Sequence, residues 1–318
     1  GGAAIYVAEH APDGKRGLYT SWIQTTATIG MFAALGIILA TRVWFGDETY
    51  RDWGWRVPFL ISAVLVAGAL YIRARLQETP LFQRIKDRGQ TAKNTAGWAR
   101  DSFSGNKIGV ILLVLIGMTA GQAVVWYQGQ FQALFFLTVY LKSAYVPAYT
   151  VLIIAIALAT PFFIFFGWLS DKIGRKPVIL GGCLIAAITY VPIYMGMKAF
   201  SKPLNWAPMI LLLCLQMVYV TMVYGPIAAF LVELFPTNVR YTSMSVPYHF
   251  GNGWFGGFLP LIATALTASA WAKSTFGDNA IYAGLIFPIA VALLSVIVNL
   301  AFIRETKDHQ IDTPIRTA

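Results

Sequence analysis

Apolar and polar positions in this chain segregate on the scale of whole helices, not of single residues. Asp, Glu, Lys and Arg are absent from Val57 to Ile72, Ile108 to Leu141, Tyr145 to Ser170 and Val178 to Met197. They are absent again from Leu204 to Val232, Tyr241 to Trp271 and Asn279 to Ile303. A helix crosses about 30 Å of hydrocarbon with roughly 20 apolar residues, at about 1.5 Å of rise each. Each block reaches that length except the first, which is a few residues short and gains from its flanks. Leu18 to Thr41 makes a further span. Strands of a membrane barrel would read as short stretches of alternating hydrophobicity, and the sequence shows none. The pattern predicts an all-α, polytopic membrane protein with eight complete spans.

Composition agrees. Charged residues make up 12% of the 318 positions and hydrophobic ones 57%, whereas soluble domains carry about 25% charge. The net charge of +10 suggests a nucleic-acid partner until its placement is considered. Eight spans put nine polar segments alternately on two sides, with seventeen of the 24 Lys and Arg residues on one side and seven on the other. That bias marks the basic side, and with it the C-terminus, as cytoplasmic in an inner membrane, and it excludes nucleic-acid binding. Cys183 and Cys214 fall inside predicted spans and read as packing residues. His10, His249 and His309 are too scattered for a metal site, and no cofactor is expected.

An internal repeat organises the chain. Glu9-His-Ala-Pro12-Asp-Gly-Lys-Arg16 and Glu233-Leu-Phe-Pro236-Thr-Asn-Val-Arg240 both read E-x-x-P-x-x-x-R, at an offset of 224. Glu78-Thr79 and Glu305-Thr306 each close an apolar span, at an offset of 227. Both landmarks lie on the basic side, so the repeats run parallel, related by an axis along the membrane normal. The repeat predicts two six-helix bundles. Residues 1–76 are the remainder of the first, 77–107 a central loop, 108–303 the second bundle and 304–318 a cytoplasmic tail. Three spans and most of a fourth are expected upstream, beginning roughly 115 residues before Gly1. The Ile108–Leu141 block is counted as one broken helix. The basic central loop reads as a solvated linker drawn to anionic lipid headgroups, or as a partner-binding helix.

The segment Gly167-Trp-Leu-Ser-Asp171-Lys-Ile-Gly174-Arg175-Lys176 joins two spans on the basic side. G-x-x-x-D-x-x-G-R-[RK] resembles the signature loop of the major facilitator superfamily, in the place of that family's second-half copy. The paired E-x-x-P-x-x-x-R motifs, Gly54-Trp55-Arg56-Val57-Pro58-Phe59 and Arg75-Leu-Gln-Glu78-Thr79-Pro80 are similar to the metabolite:proton symporter branch. That branch carries organic acids and osmolytes such as proline and betaine. The residues suggest a cytoplasmic gate in their own right. Gly174 permits a tight turn. Asp171 is positioned to face the positive N-terminus of the helix that starts near Arg16. Arg175 can bridge to Glu233, with Arg240 completing the cluster and Lys176 beside it. Such charges, dehydrated in one conformation and hydrated in another, form a bistable latch. By the repeat, Glu9 and Arg16 form a matching latch with a loop upstream of this chain. The alternative is that these charges staple loops and set topology.

Substrate is expected near the midplane, between the bundles. Gln122, Trp126, Tyr127, Gln128 and Gln130 place amides and aromatics inside an apolar span, with Gly129 able to loosen the helix. Gln122 and Trp126 share a face. Cavity lining is one reading; interhelical hydrogen bonding with an aromatic belt is the other. His249 and Asn252, three apart, stand mid-span among glycines; the histidine suits proton work or hydrogen-bonded packing. Tyr219, Tyr224, Gln216 and Gln24 are further candidates. Tyr224-Gly225-Pro226 marks a bend.

The chain carries no phosphate-binding loop and no nucleophile motif, so no enzymatic activity is expected. The expected function is proton-coupled symport of a small polar metabolite, an organic acid or zwitterionic osmolyte, by a monomer in the membrane lipid. Proton coupling is implied by the resemblance alone. Intramembrane Asp and Glu are absent away from the cytoplasmic ends, and the resemblance puts the coupling carboxylate upstream. An uncoupled facilitator of the same fold and a non-transporting receptor are the rivals.

Overall fold

The computed structural model describes residues 2–75, 107–307 and 309, with Gln83, Lys86, Asp87 and Phe103 between. The central loop otherwise lies outside the described residues, as do Glu78 and the end of the tail. The described chain is built of helices: α1 (Gly2–His10), α2 (Arg16–Thr49), α3 (Arg56–Arg75), α4 (Lys107–Tyr140), α5 (Tyr145–Ile173) and α6 (Arg175–Ala199). α7 (Trp206–Leu234), α8 (Arg240–Phe250), α9 (Leu259–Ala268) and α10 (Ala270–Phe302) follow.

Among the described residues, seven helices are long and apolar enough to cross a membrane. The eighth expected span, Tyr241 to Trp271, is divided. α8 passes into a π-helical turn, Gly251–Gly256, and stops at a turn over Gly257 and Phe258 before α9 begins. Glycines that supply no side-chain packing, followed by Pro260 near the start of α9, account for the interruption. The segment expected to be a broken helix is instead continuous. α4 runs unbroken through three π-helical stretches, Leu115–Ala120, Gln128–Gln132 and Phe136–Tyr140. Each π turn inserts a residue without leaving the helix and so rotates the face that follows. α7 bends where it was expected to, at Gly225 and Pro226.

α4 to α10 pack on one another around a core that includes Val124, Leu152, Phe163, Tyr194, Leu213 and Phe230, all but fully buried. α2 lies outside that group and packs most extensively along α5, running antiparallel to it. α3 touches α2 and buries none of its residues, although its sequence carries no charge from Val57 to Ile72. Phe59, Leu60, Val64 and Leu65 are each at least 66% exposed, an arrangement that water would oppose and hydrocarbon favours.

Candidate functional site

Where α2 begins and α5 ends, the chain gathers its charges. The α5–α6 connection is a single residue, Gly174, at φ 108°. The backbone there favours glycine, and a side chain would also displace the Glu305 carboxylate. This turn sets Asp171 against the start of α2. Its Oδ1 accepts from Gly17 N–H and its Oδ2 from Leu18 N–H, each at 2.8 Å. The carboxylate thus satisfies two of the unpaired donors at a helix N-terminus, and the helix dipole favours its charge. Close approach makes this possible. A Cβ on Gly17 would lie 2.4 Å from Gly167 O, so the two helices meet backbone to backbone.

Arg175 is the hub. Its Nη1 donates to Asp171 Oδ1 at 2.6 Å and to Ser170 Oγ at 2.9 Å. Its Nε and Nη2 donate to the two oxygens of Glu233, at 3.2 and 2.9 Å, a forked pair of the kind guanidinium geometry favours. Thr306 Oγ1 donates to Glu233 as well, at 2.9 Å. The Arg175 side chain is 1% exposed and that of Glu233 0%. Glu305 accepts from the N–H groups of Arg175 and Lys176 and so caps α6. The Lys176 ammonium donates to the carbonyls of Asn299 and Ile303 at the end of α10.

The two E-x-x-P-x-x-x-R motifs are partners of each other, which the sequence did not reveal. Arg240 Nη1 donates to Glu9 Oε1 at 2.6 Å, and Arg16 Nη1 stands 3.9 Å from Glu233 Oε1. Each glutamate faces the other motif's arginine. Arg240 therefore does not pair with Glu233, and Glu9 and Arg16 find partners within the chain, because the two repeats lie face to face at this end. Arg16 also reaches Asp13 at 3.2 Å and the carbonyl of His309 at 3.3 Å.

Farther along the helices, a second group of polar side chains meets where α4, α7 and α8 converge. Gln122 and Asn252 face each other amide to amide, at 3.4 and 3.5 Å. Tyr224 donates to Asn252 Oδ1 at 3.2 Å, Tyr248 donates to the Tyr224 hydroxyl at 3.1 Å, and Gln24 of α2 lies against the Tyr248 phenol. The Trp126 ring stacks on Tyr224 at 5.7 Å and meets Tyr127 edge-on at 4.9 Å, while its indole N–H has no protein partner. Gln24, Gln122, Trp126, Tyr127, Tyr224 and Asn252 are thus brought together, and Tyr248, which sequence reading did not single out, joins them. Its spacing of four from Asn252 was the available signal.

Four candidates stand apart. His249 is exposed, with its ring against Tyr248. The shared face expected from its spacing of three to Asn252 is not formed: His249 follows Tyr248 directly and so points off to its side, and the π turn Gly251–Gly256 carries Asn252 toward Tyr248 instead. Gln130 is fully buried in a narrow seam with Thr28, Phe163 and Thr221, and both its amide atoms lack a protein partner. It sits within the π turn Gln128–Gln132, which turns it away from the face that Gln122 occupies. Gln216 and Tyr219 are buried on the far side of α7, Gln216 donating to Gly129 O at 3.2 Å.

A multi-pass bundle with a dehydrated charge cluster at one end and an amide–aromatic cluster deeper in defines a membrane carrier, and comparison with known proteins agrees. The Major Facilitator Superfamily model matches residues 1–247, and the chain belongs to that family. The citrate-proton symporter of Salmonella typhi is 29% identical over 311 residues, covering 95% of this chain and 68% of that protein. A putative metabolite transport protein of Haemophilus influenzae is 31% identical over 326 residues, covering 97% of this chain and 67% of its own length. The proline/betaine transporter of Escherichia coli K12 is 28% identical over 277 residues, 85% of this chain and 54% of that protein. The chain thus spans between half and about two thirds of these relatives. Among solved structures, the proton:xylose symporter XylE superposes with a TM-score of 0.63 at 18% identity, over 98% of this chain and 69% of that one. These relatives are named as transporters and not as enzymes, and a further one, 31% identical over 287 residues, is the inner membrane metabolite transport protein YhjE of Escherichia coli K12.

Proposed function

We propose that this chain forms the greater part of a proton-coupled symporter that moves a small polar metabolite, an organic acid or a zwitterionic osmolyte, by alternating access. Residues 1–76 would belong to one six-helix bundle and 108–303 to the other, joined by the loop 77–107, with the tail 304–318 in the cytoplasm. The observation that carries this reading is the buried network Gly17–Asp171–Arg175–Glu233. It ties α2 to the ends of α5, α6 and α7 with the side chains of Arg175 and Glu233 almost wholly dehydrated. The buried Arg240–Glu9 pair and the Asp171 bonds to α2 cross between the two units and can part only if the charges find water, so this end has two acceptable states, closed and fully hydrated. That is the property of a gate. The cluster of Gln24, Gln122, Trp126, Tyr127, Tyr224 and Asn252 is the substrate contact surface. It offers neutral amide and phenol groups on an aromatic floor. Gln130 and His249 belong to the same transport path rather than to that surface.

Proton coupling rests on the relatives' names, the citrate-proton and proton:xylose symporters. One observation favours an uncoupled facilitator instead: within the helices α2 to α10, Asp and Glu stand only near helix ends, at Asp47, Glu48, Asp171 and Glu233, and at Asp278 in the opening third of α10. Reconstitution of the native gene product into liposomes separates the readings. Uptake that rises with an imposed inward proton gradient supports the symporter. Uptake indifferent to the gradient selects the facilitator, and ligand binding without uptake refutes transport.

A further inference from the structure

The antiparallel pair α2–α5 is pinned at both ends, and the two pins differ in kind. One is the charge cluster around Asp171. At the other end, where α2 finishes and α5 starts, a single cation stands between aromatic rings. The Arg42 guanidinium carbon lies 4.3 Å from the ring centroid of Tyr145, in the first turn of α5, and 5.0 Å from that of Tyr50. Its Nε is 3.4 Å from Asp47 Oδ1, and the Arg42 side chain is only 11% exposed. Tyr149, one turn further along α5, has its ring 6.4 Å from that of Tyr145.

Tyr50 and Asp47 come from Arg42's own segment. They fold back on it because α2 breaks at Gly46, whose φ of 77° and ψ of 159° are open to glycine and to almost nothing else. One ring of the sandwich therefore travels with α2 and the other with α5. We propose that Arg42, held between Tyr50 and Tyr145, is the latch that closes the seam at the end opposite the charge cluster. The proposal rests on the alternating-access reading above.

The chemistry suits a contact that must open. A guanidinium stacks flat on a ring and is weakly hydrated, so it gains from an aromatic face where an ammonium would hold its water. Tyr145 is 43% exposed and stands in the first turn of α5, beside the polar residues Lys142 and Ser143, so the clamp lies at the edge of the packed helices. When α5 leaves, Arg42 keeps Tyr50 and Asp47 and gains solvent, with no charge left buried and unpaired. At the charged end, α2's departure strips Asp171 of the Gly17 and Leu18 N–H groups and brings water to an Arg175 side chain now 1% exposed, although Arg175 keeps Asp171 and Glu233. The ring-faced end is the weaker pin, and it opens first.

The test reads accessibility, not uptake. A cysteine replaces Leu35, a buried position of α2 seven residues before Arg42, in a Cys183→Ala, Cys214→Ala background of the native gene product. A membrane-impermeant maleimide is applied to membrane vesicles, and labelling is normalised to the total after denaturation. Arg42→Ala and Tyr145→Leu should raise the rate about three- to tenfold, the range expected for losing a partly buried cation–aromatic contact. Tyr145→Phe, which keeps the ring face, should stay at the parental rate. The proposal is overturned if Arg42→Ala labels at the parental rate, or if Tyr145→Phe opens the seam as far as Tyr145→Leu does. A protein that moves no solute yet opens in Arg42→Ala would retain the latch and refute transport.

Discussion

Replacing Asp171 with asparagine isolates the gate, because it changes one charge and no volume. Asp171 Oδ1 receives both Gly17 N–H and an Arg175 N–H, while Oδ2 receives Leu18 N–H. Asparagine keeps one acceptor oxygen and turns an NH2 toward a backbone donor, so a buried N–H loses its partner and Arg175 loses a counter-charge. Hydrogen bonds to charged groups contribute about 1.5–3 kcal/mol each, and breaking a buried pair costs about 3–5 kcal/mol. The bonds from Gly17 and Leu18 exist only while α2 rests on the end of α5, so their loss falls on this conformation alone. A loss of about 3 kcal/mol moves a two-state equilibrium roughly 150-fold toward opening at the charged end. A cysteine at Ser21 reports it: that residue is fully buried and faces Gly167, whose added Cβ would lie 2.5 Å from Ser21 Cβ. In a Cys183→Ala, Cys214→Ala background, Asp171→Asn should raise maleimide labelling from the charged side by about a hundredfold. Asp13→Asn is the control; its side chain is 99% exposed, so the expected change is under about twofold. Parental labelling in a folded Asp171→Asn protein would show that the charges hold loops and do not gate.

Three further outcomes use the same protein. Gly17→Ala should open the charged end with every charge intact, because its Cβ would press on Gly167 O and Ser170 Oγ, at a cost of about 1–3 kcal/mol; Ser21 labelling tests it. Asn252→Leu removes the partner of Gln122 and Tyr224 and should lower uptake about tenfold or more at low substrate, with Ser21 labelling unchanged. Gln130→Leu should do the reverse of Asp171→Asn and slow Ser21 labelling about fivefold or more, since it removes two buried amide atoms that lack protein partners in the closed seam.

What the sequence shows plainly is what one segment decides alone. Hydrocarbon thickness sets span length, so seven of the eight blocks appear as long helices. The turn at Gly174, the capping of α2 by Asp171 and the Arg175–Glu233 pair are legible because a motif fixes their spacing and the repeat fixes their side of the membrane. The π turns of α4 are not legible, since shifting a hydrogen bond by one residue leaves composition untouched. Their consequence is large: Gln122 and Gln130, eight apart, serve different surroundings. The break at Gly257 and Phe258 hides among glycines that equally suit close helix packing. The crossing of the two repeat motifs, Glu9 to Arg240 and Arg16 toward Glu233, depends on how the repeats face each other. Arg42 looks like a topology charge until Tyr145, about a hundred residues on, is placed beside it.

A carrier held only by its charged end would be locked, since the contacts that cross there, Gly17 and Leu18 N–H to Asp171 and Arg240 to Glu9, favour the closed form. The seam supplies the opposing term. Along the same α2–α5 contact, Thr28 and Gln130 bury hydroxyl and amide atoms without protein partners, and a buried polar group left so disfavours the conformation that buries it by about 1–3 kcal/mol. Parting the helices hydrates these groups and restores what closure took away. The charges at the end and the amide in the middle therefore act with opposite sign on one coordinate, the separation of α2 from α5. If that is so, Gln130→Leu combined with Asp171→Asn should bring Ser21 labelling back toward the parental rate, although the two sites share no contact. Rates that remain at the Asp171→Asn level would mean that Gln130 does not sense the separation and that the opposing term lies elsewhere.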